Sequence, residues 1–154
     1  MDFEIERVFF EFYNGNNGEY LGKINIKLNE DIMSHPSMRN FLSLIQGSRG
    51  SSYKGVLFDW WYGNPIGGRV KPVILPSKNK NRHVDKWETN LGDIIQRYPD
   101  YYDANYSQIE IMFDKYSTNS PKLGSVIKSD LKFLQQLKSK KLPLKVSDCG
   151  IMID

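Results

Sequence analysis

The sequence predicts an α+β fold in which helices cover one face of a mixed or mainly antiparallel sheet. Two observations predict it: alternating strand patterns flank Asn/Gly turns, as in antiparallel hairpins, and helical stripes of apolar residues separate these hairpins. The expected order is β-β-α-β-β-α-β-α-β, with five to six strands and three helices. No internal repeat or linker interrupts the 154 residues, so residues 1–154 are expected to form a single domain.

A hairpin is predicted at the start of the chain. Ile5 to Tyr13 is an apolar run, and Tyr20 to Leu28 alternates apolar with polar residues. The intervening residues Asn14 to Gly18 are all Asn or Gly, the residue types that best tolerate a reversal of the chain.

The first helix is predicted from apolar residues at i, i+3, i+4 and i+7, namely Met38, Phe41, Leu42 and Ile45. Pro36 suits its first turn, and Gly47 suits its end. These positions should place one apolar face of the helix against the sheet.

The most distinctive segment is aromatic, since Phe58, Trp60, Trp61 and Tyr62 fall within five positions. A strand from Tyr53 to Tyr62 is predicted, with its turn at Asn64 to Gly68 and its hairpin partner at Arg69 to Leu75. Successive side chains of a strand point to opposite faces, so one tryptophan should enter the core. The other, expected to be Trp61, and Tyr62 should form a recognition surface.

The second half of the chain is predicted to contain two helices and two strands. A helix is expected over Trp87 to Tyr98, followed by an alternating strand over Gln108 to Phe113. A leucine-rich stripe predicts the strongest helix over Ser120 to Leu137. Leu144 to Ile153 could supply a final short strand.

Composition indicates an ordinary folded protein of net charge +3. No apolar run approaches the ~20 residues of a membrane span, and the N-terminus lacks the basic and apolar regions of a signal peptide. The single cysteine, Cys149, excludes an internal disulfide framework. Cytoplasmic residence is therefore expected.

Catalytic chemistry has little support beyond two histidines, His35 and His83. Two-histidine phosphoesterases use a pair of His-x-Ser/Thr motifs, and His35 fits half of that pattern. His83 does not, because the aspartate two positions later would repel phosphate. A metal-independent ribonuclease could instead combine either histidine with Lys80 and Arg82. The structural alternative places His35 at a helix start and His83 in an exposed loop.

No metal site and no cofactor is expected, because one cysteine and two distant histidines do not form a zinc cluster. Aromatic residues near Arg69, Lys80 and Arg82 could stack on single-stranded nucleic acid. Tyr101 and Tyr102 could equally contact a protein, since tyrosine is enriched in interface hot spots.

The segment Val84 to Tyr98 resembles part of some bacterial contact-dependent growth inhibition (CDI) immunity proteins, in which a tryptophan precedes a short amphipathic helix that ends in an aromatic residue. The resemblance covers about 15 residues and implies a small cytosolic α+β protein that neutralises a cognate toxin without catalysis.

The leading hypothesis is therefore a non-enzymatic protein-binding module of the immunity or inhibitor kind. Its expected contact residues are Trp61, Tyr62, Tyr101, Tyr102, Arg69, Lys80 and Arg82. The alternative is a nucleic-acid-binding protein, a metal-independent ribonuclease or a phosphoesterase that uses His35 and His83.

Overall fold

The structure is a computed structural model that describes residues 5–48, 50–58, 60–61, 66–68, 86–96 and 108–152, with the backbone alone at 60–61. The described helices are α1 (Pro36–Gln46) and α2 (Leu131–Lys140), with 3-10 turns at Glu30–Ile32 and Lys128–Asp130. The described strands are β1 (Arg7–Asn14), β2 (Tyr20–Leu28), β3 (Leu57–Phe58), β4 (Trp60–Trp61), β5 (Ile66–Gly68), β6 (Trp87–Thr89), β7 (Asp93–Gln96), β8 (Ile109–Ile111), β9 (Tyr116–Thr118), β10 (Lys122–Val126) and β11 (Leu144–Met152).

Nine of these strands form one antiparallel sheet in the order β3-β11-β1-β2-β10-β7-β8-β5-β4. Its two terminal strands, β3 and β4, are separated by a single residue, position 59. They are two halves of one strand segment, so the sheet closes on itself as an eight-stranded barrel. Strands β6 and β9 pair separately in a two-stranded sheet.

The interior of the barrel is filled by the inward side chains of alternating strand positions. Strand β1 contributes Val8, Phe10 and Phe12, each at most 1% exposed. The Phe10 ring lies 5.8 Å from the ring of Tyr53 and 6.0 Å from that of Phe58, measured between centroids. An eight-stranded barrel is just wide enough for its own side chains, and this one is packed accordingly.

Helix α1 packs on this core through its apolar face, as predicted. Phe41 is fully buried, and its ring centroid lies 6.4 Å from that of Phe10. His35 is the N-cap residue of α1, because its Nδ1 accepts a hydrogen bond from the Ser37 amide at 3.1 Å. Gly47 ends the helix with a φ of 69°, a left-handed conformation that glycine adopts without strain. Neither helix in the described part of the chain is long and apolar enough to cross a membrane.

The predicted fold class is wrong. The chain forms a closed, mostly antiparallel barrel with two α-helices in its described part, rather than a five- to six-stranded sheet with three helices. The predicted first hairpin, α1, the strand at β8 and the C-terminal strand are confirmed. The error comes from two segments whose apolar spacing fits a helix but whose residues form strands.

The first such segment is the predicted helix over Trp87 to Tyr98, which is β6, a turn and β7 as far as Gln96. Gly92 breaks the helical pattern because its φ is +90°, a conformation outside the helix. The Asp93 carboxylate fixes the turn by accepting a hydrogen bond from the Asn90 amide at 2.8 Å.

The second segment is the predicted helix over Ser120 to Leu137, whose first half is β10. The strand is possible here because Gly124 lets the backbones of β10 and β2 approach closely: an added Cβ would lie 2.5 Å from the Lys27 carbonyl oxygen. Helix α2 begins only at Leu131. The preceding residue, Asp130, accepts hydrogen bonds from the Asn25 amide and side chain at 2.8 and 3.0 Å.

The hairpin partner of the aromatic strand was also misplaced. Trp60 pairs with Gly67 and Trp61 with Ile66, so the predicted turn Asn64 to Gly68 contains strand β5. The predicted partner strand, Arg69 to Leu75, lies outside the described residues.

Burial of Tyr53 predicts a pH-dependent stability. Desolvation, with a smaller contribution from the Cys149 thiol, raises its pKa well above the ordinary 10.0. The unfolded chain therefore loses this phenolic proton first, and the stability of the folded state falls as pH rises through about 10. Urea unfolding at pH 8 and pH 10.5 should show a smaller loss for Tyr53→Phe than for the wild type. Tyr116→Phe, at a half-exposed position, should match the wild type, and an equal loss in all three proteins would contradict the prediction.

The close approach at Gly124 predicts that Gly124→Ala is strongly destabilising. The methyl group would meet backbone atoms of β2, which cannot move without breaking its pairing with β1. Overpacking of this kind costs about 1–3 kcal/mol. Thermal unfolding followed by circular dichroism measures the cost, and Ser117→Ala, at an exposed position of β9, should change stability by less than about 0.5 kcal/mol.

Candidate functional site

A row of outward-facing residues crosses the barrel wall on strands β10, β7, β8 and β5. Lys122 lies opposite Ile95, Ile95 opposite Glu110, and Glu110 opposite Gly67. The alternate residues Ile94, Ile111 and Ile66 point into the core (list of inward neighbours on β7, β8 and β5). Since successive side chains of a strand alternate, the former set, called here the outer row, faces away from the interior.

The outer row is buried although it faces outward. Ile95 is 0% exposed and Glu110 only 4%. A carboxylate is almost never this buried without a structural or functional reason, because desolvation penalises its charge. On the outside of a packed barrel, a buried apolar side chain beside a buried acid distinguishes this face from an ordinary solvated surface.

One end of the outer row is held by a polar network centred on Asp93. Its carboxylate accepts hydrogen bonds from the Ser125 hydroxyl at 2.6 Å and from the Asn90 amide at 2.8 Å. Lys122 Nζ lies 3.6 Å from the same carboxylate and donates to the Glu88 carbonyl oxygen at 3.4 Å. The network ties β10 to β7 and to β6, and it fixes the Lys122 ammonium at the edge of the face.

Two long connections leave the barrel at one level of the same wall. Gly68, the last residue of β5, pairs with Ile109, and Ile109 pairs with Gln96, the last residue of β7. Segments 69–85 and 97–107 therefore depart from neighbouring strands at the same end. Gln96 is fully buried there, and its side-chain amide donates to the Gln108 carbonyl oxygen at 2.9 Å. Loops held on a rigid scaffold commonly carry binding residues.

This topology bears on the residues that the sequence predicted as contacts. Most of them lie outside the described residues: Tyr62, Arg69, Lys80, Arg82, Tyr101 and Tyr102. All but Tyr62 belong to the two connections that leave the barrel at the Gly68–Gln96 level, and Tyr62 lies between β4 and β5. Trp61 pairs through its backbone with Ile66. Whether these side chains contact a partner stays a prediction.

The catalytic alternatives gain no support from the described residues. His35 caps α1, and His83 lies outside the description, so no distance joins the two imidazoles. Burial raises the pKa of the Cys149 thiol, the opposite of what a nucleophilic thiolate requires, although a hydrogen bond from Ser52 opposes the shift. No cluster of three or more His, Cys, Asp or Glu side chains able to hold a metal occurs among the described residues.

Comparison with known proteins rests on structure. No family model and no curated protein sequence matches the chain. The structure resembles the crystal structure of the Mimivirus cyclophilin, with a TM-score of 0.70 and 20% sequence identity over 97% of this chain and 90% of that chain. The chain has a cyclophilin-like fold. At this identity the likeness establishes the architecture, and it does not by itself transfer an activity.

The cyclophilin-like barrel overturns the immunity or inhibitor hypothesis and the α+β fold that accompanied it. That hypothesis relied on an amphipathic helix over Trp87 to Tyr98, and the described part of this segment is two strands joined by a turn. Conversely, the sequence reasoning missed Glu110 as a site residue. Its place between Ile109 and Ile111 already put it on the other side of the strand from two apolar residues, but its burial depends on contacts from elsewhere in the chain.

Removal of the Asp93 carboxylate should destabilise the barrel wall. In Asp93→Ala, the Ser125 hydroxyl and the Asn90 amide lose their acceptor and Lys122 loses its ion pair, at a cost of about 2–3 kcal/mol. Urea unfolding measures the loss. Asp114→Ala, at an exposed position, is the matched control, and an equal effect of both variants would contradict the structural role of the network.

Proposed function

We propose that this protein binds extended, proline-containing peptide segments of partner proteins at the outer row and the loops around it. The observation that carries the proposal is the full-length likeness to a cyclophilin, a fold of peptidyl-prolyl isomerases. We also place the protein in the cytoplasm, because its single cysteine, Cys149, is a free thiol, as reducing compartments maintain.

The packing of the barrel supports an external site. Core side chains such as Phe10, Ile24 and Ile111 occupy the interior, so a peptide must bind to the outside of the wall. On that outside, Ile95 supplies apolar surface and Glu110 supplies a carboxylate that can accept hydrogen bonds from a peptide. Gly67 lies between them and the aromatic strand, and a strand glycine permits another backbone to approach closely.

Isomerisation of the bound Xaa-Pro bond is the second function, and the fold is the observation that favours it. The uncatalysed reaction must cross a barrier of about 18–20 kcal/mol, so a catalyst has to stabilise the twisted bond, for example with a donor at the proline nitrogen. Lys122 is the cation described in the outer row, and its ammonium already contacts Asp93 and the Glu88 carbonyl. We therefore place binding first and catalysis second.

Amide chemical shifts in an ¹⁵N-labelled sample test the binding proposal. A proline-containing decapeptide should shift the signals of Ile95, Glu110 and Lys122, and its alanine-for-proline analogue should bind more weakly. Glu110→Gln keeps the shape of the side chain but loses the charge, so affinity should fall about tenfold, the value of one charge-assisted hydrogen bond. The control is Glu11→Gln on β1, across the barrel, which should bind like the wild type.

Exchange spectroscopy on the same peptide separates binding from catalysis. Cis–trans exchange is slow without a catalyst, so exchange peaks at a substoichiometric protein concentration would establish isomerase activity. Shifts without exchange would leave a binding protein. Shifts confined to residues outside the outer row, or no shifts at millimolar peptide, would refute the proposed site.

A further inference from the structure

A second surface is formed by exposed apolar side chains on the other side of the barrel. Four large apolar side chains are classed as exposed in the described part, and three of them, Tyr13, Tyr20 and Leu57, lie in one cross-strand row. Leu57 pairs with Lys145, Lys145 with Tyr13, and Tyr13 with Tyr20, on four neighbouring strands. Tyr13, Tyr20, Leu57 and the adjacent Pro143 are called here the tyrosine patch.

The tyrosine patch is contiguous and held in place by the fold. The rings of Tyr13 and Tyr20 pack edge to face with centroids 5.7 Å apart. Gly15 joins them to the rest of the patch, because a Cβ at this glycine would lie 2.8 Å from Leu57 Cδ1 and 3.1 Å from Pro143 Cβ. The Gly15 amide donates to the Pro143 carbonyl oxygen at 2.7 Å. A preformed apolar surface of this kind is typical of protein-interaction sites.

The charge around the tyrosine patch is mainly positive. Lys145 lies between Leu57 and Tyr13 in the row, and Lys140 and Lys141 are exposed where α2 ends, two to three residues before Pro143. Glu19, next to Tyr20, is the opposing charge on the turn side. A partner with apolar side chains flanked by acids would match both properties.

We propose that the tyrosine patch docks an acidic segment of a partner protein that inserts an aromatic or aliphatic side chain between Tyr20 and Leu57. Pairing of two copies through the same patch would bring Lys140, Lys141 and Lys145 of both copies together, and like charges disfavour that arrangement. Nucleic acid fits less well, because the edge-to-face tyrosines do not form a parallel stacking platform and Leu57 and Pro143 offer no aromatic face.

The tyrosine patch is independent of the proposed peptide site. Strand β1, which carries Tyr13, and strand β8, which carries Glu110, are four strands apart in either direction around the closed sheet. The two surfaces therefore lie on opposite walls, and the chain could hold two segments at once.

Fluorescence anisotropy with two proline-free dodecapeptides tests the proposal. One peptide has a central Phe-Leu pair flanked by Asp and Glu, and the other has the same pair flanked by Lys. The acidic peptide should bind, more tightly at low salt, and the basic peptide should not. Tyr20→Ser and Lys145→Glu should each weaken binding about tenfold, the effect of losing one interface anchor or one attractive charge.

Two control variants locate the effect. Tyr116→Ser removes the fourth exposed apolar side chain, outside the patch, and should leave binding of the acidic peptide unchanged. Glu110→Gln should also leave it unchanged, so that a failure of the peptide site and a failure of the tyrosine patch are separately visible. All four substituted positions other than Glu110 are exposed, and thermal unfolding checks that the variants fold.

Several results would overturn the proposal. Equal binding of both peptides would remove the charge argument, and binding insensitive to Tyr20→Ser would remove the patch. A dimer in sedimentation that Tyr20→Ser dissociates would assign the surface to a second copy. Displacement of the acidic peptide by an equimolar single-stranded oligonucleotide would assign it to nucleic acid.

Discussion

Closure of the barrel by one short aromatic strand is the constraint on which the rest of the structure depends. The segment 57–61 pairs on one side with β11, through Leu57 and Phe58, and on the other side with β5, through Trp60 and Trp61. The main sheet consequently has no open edge among its described strands, and strand edges are where sheets otherwise pair with other chains. The Phe58 ring occupies the space where a side chain at position 68 would lie, so the closure requires Gly68.

Closure also decides where function can be located. A barrel of this size has no room for a ligand once Phe10, Phe58 and their neighbours are inside it, so recognition must use the outside. The outside is uneven: one wall buries an isoleucine and a carboxylate, and the opposite wall exposes two tyrosines and a leucine. The same scaffold thus presents two surfaces of different chemistry, held rigidly apart by a packed core.

The sequence predicted the elements whose signals are local. The hairpin of β1 and β2 follows from an Asn/Gly turn between two apolar runs, and α1 follows from four apolar positions with caps at both ends. It failed at β6, β7 and β10, where helical spacing arose from short strands joined by turns. Gly92 and Gly124 were the available signals: one has a positive φ, and the other lies against the Lys27 carbonyl oxygen.

The candidate site was less predictable than the fold, because it depends on long-range pairing. Nothing local indicates that Ile95, Glu110 and Gly67 lie side by side, since their strands are neighbours only in the closed sheet. Alternation within β8 separates Glu110 from its flanking isoleucines, but its burial arises from parts of the chain distant in sequence. The resemblance to immunity proteins misled for the same reason: it covered one short segment and carried no information on pairing.

The pairing of β1 with β11 also has a kinetic consequence. Arg7 pairs with Met152 and Asn14 with Leu144, so the strand made first completes its neighbourhood only with the strand made last. During synthesis the early hairpin must wait with one side of β1 unpaired, and the ring forms in a late step that pays a large loop-closure entropy. Folds dominated by such distant contacts assemble slowly, in milliseconds to seconds rather than microseconds. For a ribosome-bound chain, this delay is the interval in which the aromatic residues of β1 depend on chaperones or on the β1–β2 hairpin alone for protection.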